Sequence, residues 1–336
     1  MKTRNMRKPG AFTVILRVLG GILAAFLLFL LVMWAIPLTE SVDKATVPDS
    51  TDWMAKLPDD MPLNRIVIPG THDSATQYVQ LAFFSKCQGL DIGGQLDAGF
   101  RYLDIRLSVD GEGMKLKHGF TDCKTGPMPW SAALSLEDVL RQCYTFLAEH
   151  PSETLLFAVK QEHGDESVTE FEHCLDSIIG QEPEFWLLTE TIPTLGETRG
   201  KIVLLRRYED EAGLGERAGV PLIWPSQKGY EDTSLNTVML DQGTYRLWVQ
   251  DRYEYETGEK WAAFRAGLHE EQIGQEDLAI QFLSTKGHAT YGHPFSFAKK
   301  LNPELAAYEL LPGCGWVIVD FASSAMAEHI YTANFT

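Results

Sequence analysis

Residues 66–76 read I-V-I-P-G-T-H-D-S-A-T, from Ile66 to Thr76. A short β-branched apolar run stopped by Pro69-Gly70 predicts a buried strand that ends in a tight turn. That strand sets His72 and Asp73 at its mouth, inside a run of small hydroxyl residues. The rest of the chain is expected to build a barrel and to bring partners around His72.

Working outward, apolar runs with β-branched residues predict strands at Ile66–Ile68, Tyr102–Leu107, Lys115–His118, Thr154–Lys160, Lys201–Arg206, Arg246–Gln250, Ala279–Leu283 and Trp316–Phe321. Helical patterns lie between several of them. Ser135 can cap Leu136–Glu149, whose Leu136, Val139, Leu140, Tyr144 and Leu147 share a face. Val168–Ile179 gathers Phe171, Leu175 and Ile178, and Gly180 stops it. Further helices are expected over Glu259–Ile273 and around Pro303–Leu311. Short strands alternating with helices imply a parallel sheet covered by helices, and about eight of them imply a closed barrel. No internal repeat or low-complexity tract interrupts the pattern.

The chain has 336 residues, 45% of them hydrophobic, enough for a sizeable core, and a net charge of −17. Lys2, Arg4, Arg7, Lys8 and Arg17 lie in a first segment without acids, so the body is more acidic still. Such a body does not suit a nucleic-acid backbone and gains little attraction to an anionic bilayer. Any membrane contact must be local and apolar. Cys87, Cys123, Cys143, Cys174 and Cys314 show no C-x-x-C spacing, which argues against zinc. One or two disulfides and buried thiols are both open readings.

Val18–Ile36 is uncharged over 19 residues, or roughly 28 Å as a helix. Trp34 stands near its outer end, where an indole suits the interface, and the basic cluster before it predicts a cytoplasmic N-terminus. The expected organisation is a basic segment (1–17), a transmembrane signal-anchor helix (18–36), a short tether (37–60) and a catalytic barrel (61–336). This places the chain in the cell membrane as a single-pass protein with its body outside. A cleaved signal peptide, giving a secreted protein, is the rival reading, though no A-x-A site follows the apolar run.

Polar residues fall at nearly every expected strand end. His72 follows the first strand, Asp104 and Arg106 close the second, and His118 ends the third. Lys160 ends the fourth, Arg206 and Arg207 the fifth, Asp251 and Tyr253 follow the sixth, and Asp320 ends the last. The C-terminal strand ends of a barrel share one rim, where active sites sit. A charge beyond a strand is often only the start of a solvated loop, but this many together point to one mouth. Two imidazoles can serve as base and acid, and an arginine fork can hold a phosphate and stabilise developing charge. Phosphate-ester chemistry follows.

At these residues the chain resembles the bacterial phosphatidylinositol-specific phospholipase C family. The resemblance runs from about Leu63 to Phe321. It rests on I-P-G-T-H-D-S, A-G-F-R-Y-L-D-I-R, H-P-S-E-T-L-L, R-G-K-I-V-L-L-R-R-Y, V-Q-D-R-Y and G-W-V-I-V-D, in that order. It implies an α/β fold, a distorted TIM (β/α)8 barrel, here preceded by one N-terminal transmembrane helix. It implies cleavage of phosphatidylinositol, or a glycosylated relative, to diacylglycerol and inositol 1,2-cyclic phosphate. By resemblance His72 is the general base and Asp320 orients it. Arg106 binds the phosphate, and His118 is the general acid, supported by Asp73. Lys160, Arg207, Asp251 and Tyr253 hold the inositol ring, with Tyr253 on its face, and Asp104 is a support beside the phosphate.

Related eukaryotic enzymes use calcium held by carboxylates near the phosphate. Here Arg106 stands in D-I-R, so no metal and no cofactor are expected, and no protein partner is implied. The loop Gly119–Ser131 departs from the family, whose usual member is secreted and unanchored. The apolar stretch Tyr78–Phe84 resembles by position the family's rim helix, making Val79, Leu81, Phe83 and Phe84 candidate membrane contacts; ordinary core packing is their other reading. His288 and His293 form a remote candidate metal pair. A glycerophosphodiester phosphodiesterase and a catalytically dead lipid- or inositol-binding module are the alternative functions.

Overall fold

The structure is a computed structural model that describes residues 10–43, 47–111, 113–228, 238–269, 273–290 and 292–336. Twelve strands occur among them. They are β1 (Pro69–Thr71), β2 (Tyr102–Asp110), β3 (Gly113–His118), β4 (Thr121–Asp122), β5 (Leu155–Gln161), β6 (Trp186–Leu187), β7 (Ile202–Arg206), β8 (Val220–Pro221), β9 (Val238–Asp241), β10 (Arg246–Gln250), β11 (Leu278–Phe282) and β12 (Trp316–Val319). The helices are α1 (Ala11–Thr39), α2 (Ala82–Ser85), α3 (Ile92–Asp97), α4 (Leu136–Glu149), α5 (Val168–Ile179), α6 (Leu195–Thr198), α7 (Thr257–Leu268), α8 (Pro294–Ala306) and α9 (Ser324–Tyr331).

The barrel runs β7-β5-β2-β1-β12-β11-β10, all parallel, with β6 and β8 sharing the position beside β7. Within the described residues it does not close into the continuous ring expected. No backbone ladder joins β8 to β10, and β9 lies antiparallel on the free side of β10. Side chains span the seam instead. Tyr245 Oη donates to Pro221 O, and Gln227 Nε2 donates to Val249 O at 3.3 Å while its Oε1 accepts from Asp251 N at 3.0 Å.

Pro69 and Gly70 form β1 rather than ending the strand. Gly70 lies where β1, β2 and β12 meet, and a Cβ there would come within 2.3 Å of Ile318 Cδ1 and 2.9 Å of Tyr102 Cβ. The apolar run 66–68 is fully buried and leads into β1 from a short 3-10 turn at Leu63–Arg65. The strand expected at 115–118 is a strand, but it pairs antiparallel with β2. The β2–β3 hairpin therefore overhangs the rim, and β3 carries His118 back down into the mouth. Helix caps follow the sequence: Ser135 Oγ accepts from Asp138 N, and Ser167 and Glu170 form a reciprocal capping box. The seventh helix begins at Thr257 and ends at Leu268; residues 270–272 of the expected span lie outside the described residues. The eighth starts at Pro294, whose fixed φ suits a first turn, well before the expected Pro303.

Residues 47–57 are not a free tether. Trp53 and Met54 are fully buried, Trp53 Nε1 donates to Gly99 O, and its ring stacks on Tyr331 at 5.1 Å. Beside them the buried pair Arg101–Glu153 (2.8 Å) binds the backbone at Ser50 and Thr51 through Arg101 and at Met54 through Glu153. Arg199 adds bonds to Met54 O and Leu57 O. The strap closes the end of the barrel opposite the mouth because its apolar residues find a pocket there that the strands leave open. Replacing Trp53 by alanine removes the central plug and is expected to destabilise the protein by ~3–5 kcal/mol, read as a lowered urea midpoint. All five cysteines are free thiols, and four of them are buried.

Candidate active site

The mouth holds a cleft of about 670 Å3. Eight of the catalytic and substrate-binding candidates line it: His72, Arg106, His118, Lys160, Arg207, Asp251, Tyr253 and Asp320. They converge because residues two apart on a strand share a face, and Asp104 and Arg106 of β2 both point inward. Arg106 pairs in register with Lys160, and Arg207 follows directly on Arg206, which faces Val159. Asp73 and Asp104 are buried beneath this layer, at 2% and 0% exposure, and hold it from below.

His72 Nδ1 stands 2.8 Å from Asp320 Oδ1. A carboxylate only accepts, so Nδ1 carries the proton and Nε2 is left as an acceptor. Arg106 Nη2 donates to that Nε2 at 2.9 Å. Burial is the largest influence on His72 and opposes its charge, but Asp320, by charge and hydrogen bond, and Asp73 together outweigh it. The pKa of His72 is raised above 6.5.

His118 Nδ1 lies 2.5 Å from Asp73 Oδ2, and the same oxygen is 3.1 Å from Arg106 Nη1. Asp73 has a positive φ of 45°, a strained conformation that aspartate tolerates better than most residues. Asp104 holds it there by accepting from Asp73 N at 3.1 Å. Burial raises the pKa of Asp73, but Arg106 and His118 overcome it, and the group stays below its ordinary value. Asp104 also binds Arg106 (3.1 Å) and Arg207 (3.2 Å), which hold its pKa well below normal against burial. Two imidazoles thus flank one guanidinium, each backed by a different carboxylate.

The other wall carries paired charged and hydroxyl groups. Lys160 Nζ meets Glu162 Oε2 at 2.6 Å. Arg207 lies over the Trp224 ring at 3.8 Å, and Trp224 Nε1 donates to Asp251 Oδ2 at 3.1 Å. Tyr253 Oη pairs with Ser226 Oγ at 2.6 Å. Sequence reasoning missed Glu162, Trp224 and Ser226. Glu162 stands two residues beyond Lys160 and could have been found by the strand period. Trp224 and Ser226 follow β8, too short to be seen as a strand. Lys260 was also missed. It is fully buried, donates to Gln250 Oε1 and Arg252 O, and so props the turn that carries Asp251 and Tyr253. Burial pushes its pKa down to about 7.

Of the candidate membrane contacts, Leu81 is 57% exposed and Leu81 and Phe84 line the cleft. Phe83 is half-buried, stacked on His293. Val79 is not a surface residue: it is buried in the core and bridges to Cys123, because the loop 120–124 covers it. His288 and His293 do not form a pair, since His288 binds Glu259 and His293 binds Glu40. Among the described residues one group, His72, Asp73 and Cys87, has ligand-type atoms within 4.8 Å of one another. Its donors fit a cation poorly. Burial keeps the Cys87 thiol protonated, and the Arg106 guanidinium already occupies His72 and Asp73.

The fold has known counterparts. A phosphatidylinositol-specific phospholipase C from Staphylococcus aureus superposes with a TM-score of 0.69 at 23% identity, covering 84% of this chain and 97% of that one. The enzyme of that name from Listeria monocytogenes superposes with a TM-score of 0.62 at 22% identity, covering 86% and 99%. The fold is therefore the TIM-like α/β fold of the bacterial phosphatidylinositol-specific phospholipases C. Residues 60–208 match the family model "Phosphatidylinositol-specific phospholipase C, X domain". In sequence it is 28% identical over 291 residues to a 1-phosphatidylinositol phosphodiesterase of Staphylococcus aureus strain Newman, spanning 81% of this chain and 88% of that one.

Proposed function

We propose that the protein cleaves the phosphodiester of phosphatidylinositol, or of a glycosylated relative, by intramolecular attack of the inositol 2-hydroxyl. The observation that carries this reading is the pair of histidines on either side of Arg106, one backed by Asp320 and the other by Asp73. His72 Nε2 takes the hydroxyl proton as the oxygen attacks phosphorus. His118 gives a proton to the departing diacylglycerol oxygen. Arg106 donates to the phosphate oxygens as charge builds on them. In the free protein Arg106 occupies His72 Nε2, so a phosphate that draws the guanidinium away also frees the base. Attack within one molecule can contribute roughly 7–11 kcal/mol when the geometry is good. The products are diacylglycerol and inositol 1,2-cyclic phosphate.

Lys160, Glu162, Arg207 and Asp251 alternate donors and acceptors around the wall, as a ring of hydroxyls requires, and Tyr253 offers a face to the ring. The name of the Staphylococcus aureus relative supports the same substrate. With Arg106 on the phosphate the reaction needs no metal. We read α1 as a membrane anchor: it is 29 residues long, and its most apolar 18-residue window is not buried at all. The test is product analysis on phosphatidylinositol vesicles with and without chelator. Cyclic inositol phosphate formed at equal rates in both is expected. Glycerol phosphate products, or activity lost to chelator and restored by calcium, would overturn the reading.

A further inference from the structure

The end of α1 is fastened to the lip of the cleft. Lys86 Nζ donates to Pro37 O at 2.6 Å and to Glu40 O at 2.9 Å, so a 6%-exposed ammonium caps the last carbonyls of the helix. Its neighbours Ser85 and Cys87 line the cleft. Glu40, itself buried, pairs with His293 Nε2 at 2.6 Å, and His293 stacks flat on Phe83 at 4.1 Å. Trp34 Nε1 donates to Pro127 O at 3.0 Å. Three separate pieces of the lip, at 83–86, 127 and 293, hold one helix end. Beyond it the chain is fixed again by Trp53 at the far end of the barrel.

The free surface of that lip is apolar. Trp130 is 82% exposed, Phe120 58%, Leu81 57% and Met128 40%. Phe120 and Leu81 line the cleft, and Met128 and Trp130 lie one and three residues beyond the carbonyl that Trp34 holds. An indole at the end of a spanning helix sits at the membrane–water interface, so the residues tied to Trp34 share that depth. Residues 33–35 are half-buried against the body, whereas 11–32 are exposed. The apolar lip is thus continuous with the apolar surface of α1, and an exposed patch of this kind calls for a cover. The acidic chain gains little from charge attraction to a bilayer, which leaves apolar contact to do it.

We propose that the docked helix holds the cleft against the leaflet from which α1 itself emerges, making the protein a cis-acting enzyme that takes inositol lipid from its own membrane. This rests on the phospholipase and anchor readings above. The full chain is reconstituted in liposomes containing one fluorescent phosphatidylinositol and mixed with protein-free liposomes containing another colour. Hydrolysis in its own vesicles is expected to exceed that in the others by at least ~10²-fold, the scale of an effective-concentration gain. In Trp34→Ala/Lys86→Ala the ratio should fall towards one, while cleavage of a soluble short-chain phosphatidylinositol is unchanged. Equal hydrolysis of both vesicle populations by the unaltered chain overturns the proposal. A readout without catalysis uses acrylodan on Trp130→Cys, whose quenching by a nitroxide lipid supports the docked lip and whose full exposure to water overturns it. Failure to cleave phosphatidylinositol even in detergent micelles sinks the phospholipase reading instead. Release of the chain by carbonate sinks the anchor and this proposal together.

Discussion

His72→Ala is expected to lower kcat/KM on phosphatidylinositol by about 10³–10⁴-fold, at the upper end of what a positioned general base contributes, while leaving binding of free inositol largely intact. The reasoning is geometric. Nδ1 is committed to Asp320, and Nε2 is the atom that faces the cleft. Turnover that survives the change would remove the base from this residue. The pH profile adds a second check. A base must start neutral, and the pKa of His72 is raised above 6.5, so the acid limb of kcat/KM lies above the ordinary imidazole value. Asp320→Asn removes the main source of that rise, so the limb moves to lower pH as activity falls. A limb that stays in place would mean that another group titrates there.

The second large effect is expected at Arg106. Replacing it with lysine keeps one charge but loses the fork that reaches Asp73, Asp104 and His72 together. A fall of about 10²–10³-fold in kcat is expected, as for removal of a donor aimed at developing charge. Arg106→Ala also leaves two buried carboxylates short of a partner, and loss of one member of a buried pair destabilises by about 3–5 kcal/mol. Thermal unfolding should therefore separate the two variants, with lysine near the parent and alanine well below it. Equal melting temperatures would show that Asp73 and Asp104 do not depend on the guanidinium.

How far these residues were legible in the sequence depends on how local their signal is. Lys160, Arg206 and Asp320 end runs of four or five apolar residues, and the period of a strand shows which way each run points. The partnership of His72 with Asp320, at opposite ends of the chain, came from resemblance to a family and not from spacing. The third strand was visible, but its direction was not: local propensity is the same for a hairpin arm and a barrel strand. The seam was hidden for a related reason. Val220-Pro221 is too short to carry a pattern, so Trp224 and Ser226 beyond it went unnoticed. The strap at 47–57 looked like a linker because Pro48, Pro58 just beyond it and scattered charges dominate the local composition. Its buried apolar residues, Trp53, Met54 and Leu57, matter only once the pocket beneath the barrel exists.

The pairing of β1 with β12 has a consequence in time. β1 has just two neighbours, β2 and β12, and His72 meets Asp320 across 248 positions of chain. A ribosome has made nearly everything before it makes β12. Until then Gly70 has one empty flank, the imidazole has no orienting carboxylate, and Tyr331 has yet to cover Trp53. Contacts this distant in sequence form late. A chain made only as far as β11 thus carries every other residue of the proposed site but lacks the carboxylate that orients its base.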